Sequence, residues 1–465
     1  MDADQIRQLR PALGRYLRQF DDCFGNSCSR AHLPIYIRGQ LSNLPRKSVE
    51  PIALAEGVAP RTLQEFLSLL EWDERRLVDR VHQLVAREHA SPHAVGVIDE
   101  TGCPKKGTKT PGVQRQYCGA SGKVDNCVVT VHLSYAADKF HCLLASELYL
   151  PQVWADDRQR CRQAGIPDDV VYRPKWQIAL ELLDRAQGNG VQLAWLTFDE
   201  YYGSKPEFLH GLQRRGQRYV AEVPVNFHGW LKPPRLRPRG RGFQVRRRSS
   251  GVADLLRYSP ALRDQPWQRF RVKDGEKGPM VWEVKHVRFY PQRDDGDPGP
   301  PGHLIVARNV LQPEEVKYFV SNAPAETRLQ TLLLVAFSRW HVERCFEDEK
   351  MELGFDHYEG RKYRGLIRHQ ALTAVSHLFL ERIREQWGGK SGVDGLPDPN
   401  SGSGLGPIVV VGEECGPGTL GTHGRDHYVP TTTKRQGSQE PYQTDTPETS
   451  RARYSPCHPD PLLVG

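Results

Sequence analysis

The chain predicts an α/β protein: a mixed sheet with flanking helices, interrupted by a β-rich insertion and preceded by a helical domain. Three observations lead there. Apolar residues recur at helical spacing through the first ninety or so positions. From Val95 onward the pattern changes to strand, strand, strand, helix, strand, helix, strand, written in β-branched and aromatic runs. The first and fourth of those strands both run into an acid, Asp99 and Asp199. With 465 residues the chain has room for two or three domains.

Residues 1–92 are expected to form a helical N-terminal domain. Within it, "SVEPIALAEGVAPRTLQEFLSLLEW" (Ser48–Trp72) places Ser48 as an N-cap and Pro51 in the first turn. Gly57 breaks the pattern and Pro60 opens a second helix. Ala53, Gly57 and Leu63 keep the small–turn–apolar spacing of a helix-turn-helix. Arg61, Thr62 and Gln64 then fall at the start of the second helix, where such a motif reads base edges. A plain helical hairpin would show the same pattern.

Residues 93–224 carry the strands "AVGVID", "CVVTVHLSYAAD" and "FHCLLASELYLP", a helix at about Pro174–Gln187, the strand "VQLAWLTFDEYYG", a helix and the strand "RYVAEVP". That chain order belongs to a ribonuclease H-like fold, so this segment is expected to form the first part of a catalytic domain. Residues 225–325 break the scheme with short alternating strands separated by Gly, Pro and Asp, an inserted β-rich segment. Residues 326–388 return to helix and complete the domain. Residues 389–465 lack apolar periodicity apart from "PIVVVG", and disorder is expected.

No apolar run approaches the roughly 20 residues of a membrane span, and the N-terminus lacks a signal-peptide core. The ten cysteines are scattered, which suits reduced thiols in a cytosol. The net charge of +8 permits a polyanionic partner without requiring one. Basic residues concentrate in two runs, "CPKKGTKTPGVQRQ" with Lys105 and Lys106, and "LKPPRLRPRGRGFQVRRRS" (Leu231–Ser249). Both are expected to touch phosphates.

Asp99 and Asp199 would be neighbours in the expected fold, and the helix "SRWHVERCFEDEKMELG" would pack across them. At about 100° per residue, Arg339, Glu343 and Lys350 share one narrow stripe of that helix. Glu343 is thus the third acid, although Glu347 or Glu349 could serve instead. Glu100 and Glu200 follow the two Asp residues and should face the other way. Three convergent carboxylates repel one another unless divalent cations lie among them. Oxygen ligands favour Mg²⁺ or Mn²⁺. Two such ions, about 3.5–4 Å apart, suit phosphodiester displacement. Arg339 and Lys350 would hold phosphates.

These blocks resemble the DDE-class insertion-sequence transposases, in the branch with a Tyr-x₂-Arg-x₃-Glu-x₆-Lys signature. Arg339, Glu343 and Lys350 match its Arg, Glu and Lys, while Ala336 stands at the Tyr position. "DETG" followed by "PKKG", then "TFDEYYG" and "RWHVERCFEDEKMELGFDHYEGR", read like the same family's segments. The resemblance covers about Leu33 to Trp387. It implies Asp99, Asp199 and Glu343 as a catalytic, metal-binding triad with Mg²⁺. The implied activity is metal-dependent DNA strand cleavage and strand transfer at the ends of a mobile element. Its DNA partners would be terminal inverted repeats and target DNA, bound by a homodimer in a bacterial cytoplasm, at the nucleoid. Other readings of the same residues are a non-catalytic DNA-binding protein, such as a decayed or domesticated transposase, and a structure-selective nuclease.

Overall fold

The structure is a computed structural model. It describes residues 3–138, 140–239, 242–245, 248–275, 278–339 and 345–387. The side chains of 3–6, 236–247, 272–280 and 387 fall outside that description, and so does the whole expected tail. The arginines at the centre of the Leu231–Ser249 run therefore lie outside the described residues.

Five helices come first: α1 (Ala3–Leu17), α2 (Ser27–Leu41), α3 (Val49–Ala55), α4 (Pro60–Ser68) and α5 (Glu74–Glu88). The punctuation between α3 and α4 matches the expected spacing. Ser48 precedes α3 in extended backbone and Pro60 opens α4 at its first position. Gly57 takes φ +70°, a left-handed conformation that a β-carbon disfavours. Ala53 and Leu63 are fully buried where the two helices meet.

Four strands follow: β1 (Val95–Pro104), β2 (Gln114–Cys118), β3 (Lys123–Ala137) and β4 (Phe140–Leu148). Short helices α6 (Gln152–Asp156) and α7 (Arg158–Ala164) lead to α8 (Lys175–Gly188) and β5 (Trp195–Phe198). After α9 (Glu200–Gly203) and α10 (Pro206–Arg214) comes β6 (Tyr219–Val223). The strand neighbours run β4–β3–β1–β5–β6. β1, β5 and β6 are parallel, and β3 is antiparallel to both β1 and β4. This large mixed sheet with flanking helices is consistent with a DDE nuclease fold. β1 and β5 read as near-continuous apolar runs because helices cover both their faces.

Residues 225–325 hold β7 (His228–Trp230), β8 (Leu236–Arg239), β9 (Gly242–Val245) and β10 (Ser250–Gly251). Helices α11 (Val252–Tyr258) and α12 (Pro260–Arg263) precede β11 (Gln268–Gly275), β12 (Gly278–Pro291), β13 (Gly302–Asn309) and β14 (Val316–Ser321). Most of these strands extend the same sheet, since β14 pairs with β6 and β13 and β12 follow outward. The chain then returns as α13 (Leu329–Phe337) and the long α14 (Tyr363–Trp387).

Alternation sorts the two faces. Trp195 and Val220 face one side, where Leu332, Leu333, Val335 and Ala336 of α13 cover them. Leu196, Phe198 and Ala221 face the other, within the larger core that also takes in the N-terminal helices and α14. Ala336, at the departure from the family signature, is therefore a buried contact between α13 and the sheet. Tyr16 and Tyr36 reach α14 through hydrogen bonds to the Val375 carbonyl and to His369.

Candidate active site

β1 and β5 run parallel in a register that pairs Val97 with Thr197 and Ile98 with Phe198. One step further sets Asp99 beside Asp199, on strands about 4.8 Å apart with both side chains on the α13 face. β1 does not end at Asp99: it continues to Pro104, paired with β3, while β5 stops at Phe198. Asp99 thus sits where its parallel neighbour runs out, its Oδ1 accepting the Glu100 N–H at 2.7 Å. Asp199 caps the first turn of α9, its Oδ1 accepting the Tyr202 N–H at 3.3 Å. Gly203 lets that turn lie flat on β6, because a β-carbon there would stand 1.9 Å from the Glu222 carbonyl oxygen.

Burial and mutual repulsion act on this pair. Burial raises the Asp99 carboxyl and the Asp199 charge raises it further, with Arg339 offsetting part, so that it is pushed up to about 7. Asp199 is also raised, chiefly by burial, against the opposing pull of Arg339. Glu100 points away from Asp99, as alternation requires, and meets the Lys175 ammonium and the Tyr202 hydroxyl. Two half-buried carboxylates that resist ionisation are what a divalent cation would relieve, and their oxygen chemistry suits Mg²⁺ or Mn²⁺.

A family model for the DDE superfamily endonucleases matches residues 19–279, more than half of the chain. The chain belongs to the DDE endonuclease superfamily. The match takes in Asp99 and Asp199. A curated relative, "Probable transposase for insertion sequence element IS701" of Microchaete diplosiphon, is 32% identical over 199 residues, or 42% of this chain. The chain spans about half of that relative's length, 49%. Enzymes of the DDE class use divalent metals.

The helical stripe expected of Arg339, Glu343 and Lys350 can be followed at both ends. Arg339, just past α13, places Nη2 3.6 Å from Asp99 Oδ2 and donates from Nη1 to Glu222 Oε2 at 2.8 Å. Lys350 donates to the Thr101 hydroxyl at 2.5 Å, two residues along β1 on the Asp99 face. The segment from 339 to 350 thus touches β1 at both ends. Glu343 lies between them, in residues 340–344, outside the described residues. Glu349, an alternative third acid, is fully buried beside His132 and His377. Burial raises its carboxyl well above the ordinary range. Glu347 is exposed.

Other expected residues scatter. Lys105 is half-buried and donates to the carbonyls of Asp356 and Tyr358, so its ammonium serves a chain crossing. Lys106 is exposed beside it. Arg61 and Gln64 are exposed at the start of α4, Arg61 paired with Glu65, and Thr62 is half-buried. One acid escaped the sequence reading. The β5–β6 register pairs Phe198 with Ala221, so the next step puts Glu222 beside Asp199 on the same face. Only the register reveals this.

A second group also has ligand-type atoms. His141, Asp348, His377 and Glu381 bring theirs within 4.8 Å of one another. Arg384, however, donates to both Asp348 and Glu381 at 2.5 Å. The Leu143 N–H donates to His377 Nδ1 at 3.2 Å, which leaves the proton of the neutral ring on Nε2 and removes that nitrogen as a ligand. Burial keeps His377 neutral, pushing it down to about 3. The group is a hydrogen-bonded charge network beneath α14, and its cation is Arg384.

The raised Asp99 makes a prediction for the metal-free protein. A carboxyl lifted in the native state stabilises the fold below its unfolded value near 3.9, and that contribution is lost as pH rises through about 7. In thermal unfolding with chelator, Asp99 should therefore contribute a fall in stability between about pH 5 and about pH 8, opposite in sign to the contribution of neutral buried histidines such as His377 and read as the difference between wild type and variant. Asp99→Asn should flatten this slope and gain on the order of 2 kcal/mol at the alkaline end. Parallel pH profiles for the two proteins would contradict the repulsion described above.

Proposed function

We propose that the chain is an insertion-sequence transposase with a ribonuclease H-like catalytic core. It cleaves DNA strands at the ends of its mobile element and transfers the freed 3′ ends to target DNA. The observation that carries this is the adjacency of Asp99 and Asp199 on neighbouring parallel strands, facing the helix that returns with Arg339. Family membership and the similarity to a protein named as a probable transposase support it. Asp99, Asp199 and Glu343 would hold two ions, Mg²⁺ or Mn²⁺. What such ions supply when bound is activation of the attacking oxygen and stabilisation of the leaving one. The chain's own part is to fix the acids on rigid strands and to exclude bulk water with α13.

Positive groups complete the work. Arg339 and Lys350 flank the acids and would bind the phosphates on either side of the cleaved bond. α3 and α4 would act as a helix-turn-helix, with Arg61, Thr62 and Gln64 reading a terminal repeat. Lys106 and the basic run at Leu231–Ser249 would follow the backbone, Lys105 supporting the loop beneath. Holding two element ends together calls for a homodimer on DNA. Among the described residues no helix is long and apolar enough to cross a membrane. The working place proposed is the bacterial cytoplasm, on the nucleoid when bound to DNA.

The test is nicking of DNA that carries the flanking element ends, with and without Mg²⁺, followed by an assay for joining to a target plasmid. Cleavage without joining would identify a nuclease on the same fold. Binding with neither reaction would leave a DNA-binding protein without catalysis. For the basic run, neutralising three arginines within Leu231–Ser249 should lower affinity and reduce the slope of log affinity against log salt by about 2–3. An unchanged slope would return that run to the role of a solvated hairpin.

A further inference from the structure

Glu222 is a third carboxylate on the rung of Asp99 and Asp199, and its contacts differ from theirs. One oxygen takes the Lys317 ammonium at 3.0 Å and the other takes Arg339 Nη1 at 2.8 Å. The opposite end of that guanidinium stands 3.6 Å from Asp99. Arg339 therefore spans the rung, from β6 across to β1. Its charge opposes the repulsion that acts on both Asp99 and Asp199. A cation arriving at those acids must compete with this guanidinium, and Glu222 is the group that anchors it.

We propose that Glu222 is a positioning residue: it holds the Arg339 guanidinium to one side of Asp99 and Asp199, and so sets how tightly those acids take a divalent cation. The proposal rests on the metal-site reading above. Glu222 is already paired with two cations and so is not offered as a metal ligand. When it holds Arg339 by one nitrogen, the arginine balances the acids without closing over them. Released from Glu222, the same fork could turn both donors onto Asp99, since bidentate pairing is its strongest mode. Lys317, on β14, fixes the other oxygen and keeps the carboxylate from following.

A double-mutant cycle read by Mn²⁺ binding tests this, using the full chain without DNA. Bound Mn²⁺ is followed by electron paramagnetic resonance as the ion is titrated in. Arg339→Gln removes the competing charge and should tighten binding about fivefold, whereas Glu222→Gln should weaken it about fivefold. In the Arg339→Gln background the Glu222→Gln effect should largely vanish. Should Glu222→Gln fail to fold, Glu222→Asp is expected to move affinity the same way, less far, and again only when Arg339 is present. Equal weakening in both backgrounds would mean that Glu222 acts on the cation through its own charge, and would overturn the proposal. So would no change at all. Asp99→Asn is the control: if it binds Mn²⁺ as the wild type does, the metal-site reading itself fails and this inference falls with it.

Discussion

In the Asp199→Asn protein, strand cleavage at the element end should fall by at least about a thousandfold, while affinity for the same DNA stays within a few-fold. The asparagine keeps the size of the side chain and can still accept the Tyr202 N–H that caps α9. It removes one negative charge from a place where the neighbouring acid is already pushed up to about 7. The fold loses nothing by this and gains relief from repulsion. What disappears is half of the electrostatic reason for a divalent ion to enter. On the proposed reading, DNA affinity rests instead on lysines and arginines along the surface, which the substitution does not touch. Comparable loss of binding and cleavage would mean that Asp199 supports the DNA-contacting surface, and would sink its assignment to chemistry. The comparison is best made in Mn²⁺ as well as Mg²⁺, because a weakened site can be partly filled by the ion that binds more tightly.

How far such a site can be read from sequence depends on which interactions are local. Asp99 and Asp199 were legible because each follows a short apolar run, and strand order then brings those runs together. The turn between α3 and α4 was legible for the same reason, since Ala53, Gly57 and Leu63 act within a few residues of one another. Glu222 was not. In "RYVAEVP" it reads as one polar residue in a half-buried strand, and only the β5–β6 register places it beside Asp199. The strands of 225–325 could be read as an inserted β-rich segment, but their letters did not show that β14 pairs with β6 and prolongs the central sheet. An edge strand's partner leaves no mark in its own letters. Lys105 has contacts its own segment does not announce. A lysine in a basic run suggests phosphate, but its ammonium is spent on two carbonyls more than 250 residues away. Glu349 is the same lesson for acids, because its spacing made it a candidate and its burial gives it another fate.

Arg368→Met should destabilise the whole protein by about 3 kcal/mol or more, the largest stability loss expected from a single surface-distant substitution. Arg368 lies on α14 and is 2% exposed. Its guanidinium donates to the carbonyls of Phe66, Leu70 and Trp72 at 3.2, 2.7 and 2.7 Å, and to Glu74 at 3.0 Å. Those carbonyls belong to the end of α4 and the turn after it, where a helix leaves its last acceptors without partners. One side chain thus closes α4, orders the link to α5 and fastens both to α14. The Trp72 ring stacks under the guanidinium at 4.3 Å, so the charge also has an aromatic face to rest on. Methionine fills most of the volume but satisfies none of the acceptors, and Glu74 loses its partner. A chemical denaturation midpoint measured with and without the substitution reads the effect directly. Because α4 begins with the exposed Arg61 and Gln64, the same variant should bind element ends more weakly while a DNA-free Mn²⁺ titration at Asp99 and Asp199 stays near wild type below the unfolding transition. A variant as stable as the wild type would show that water replaces the guanidinium at those carbonyls. The N-terminal helices would then be held to α14 by apolar packing and by the hydrogen bonds of Tyr16, Tyr36 and Gln40.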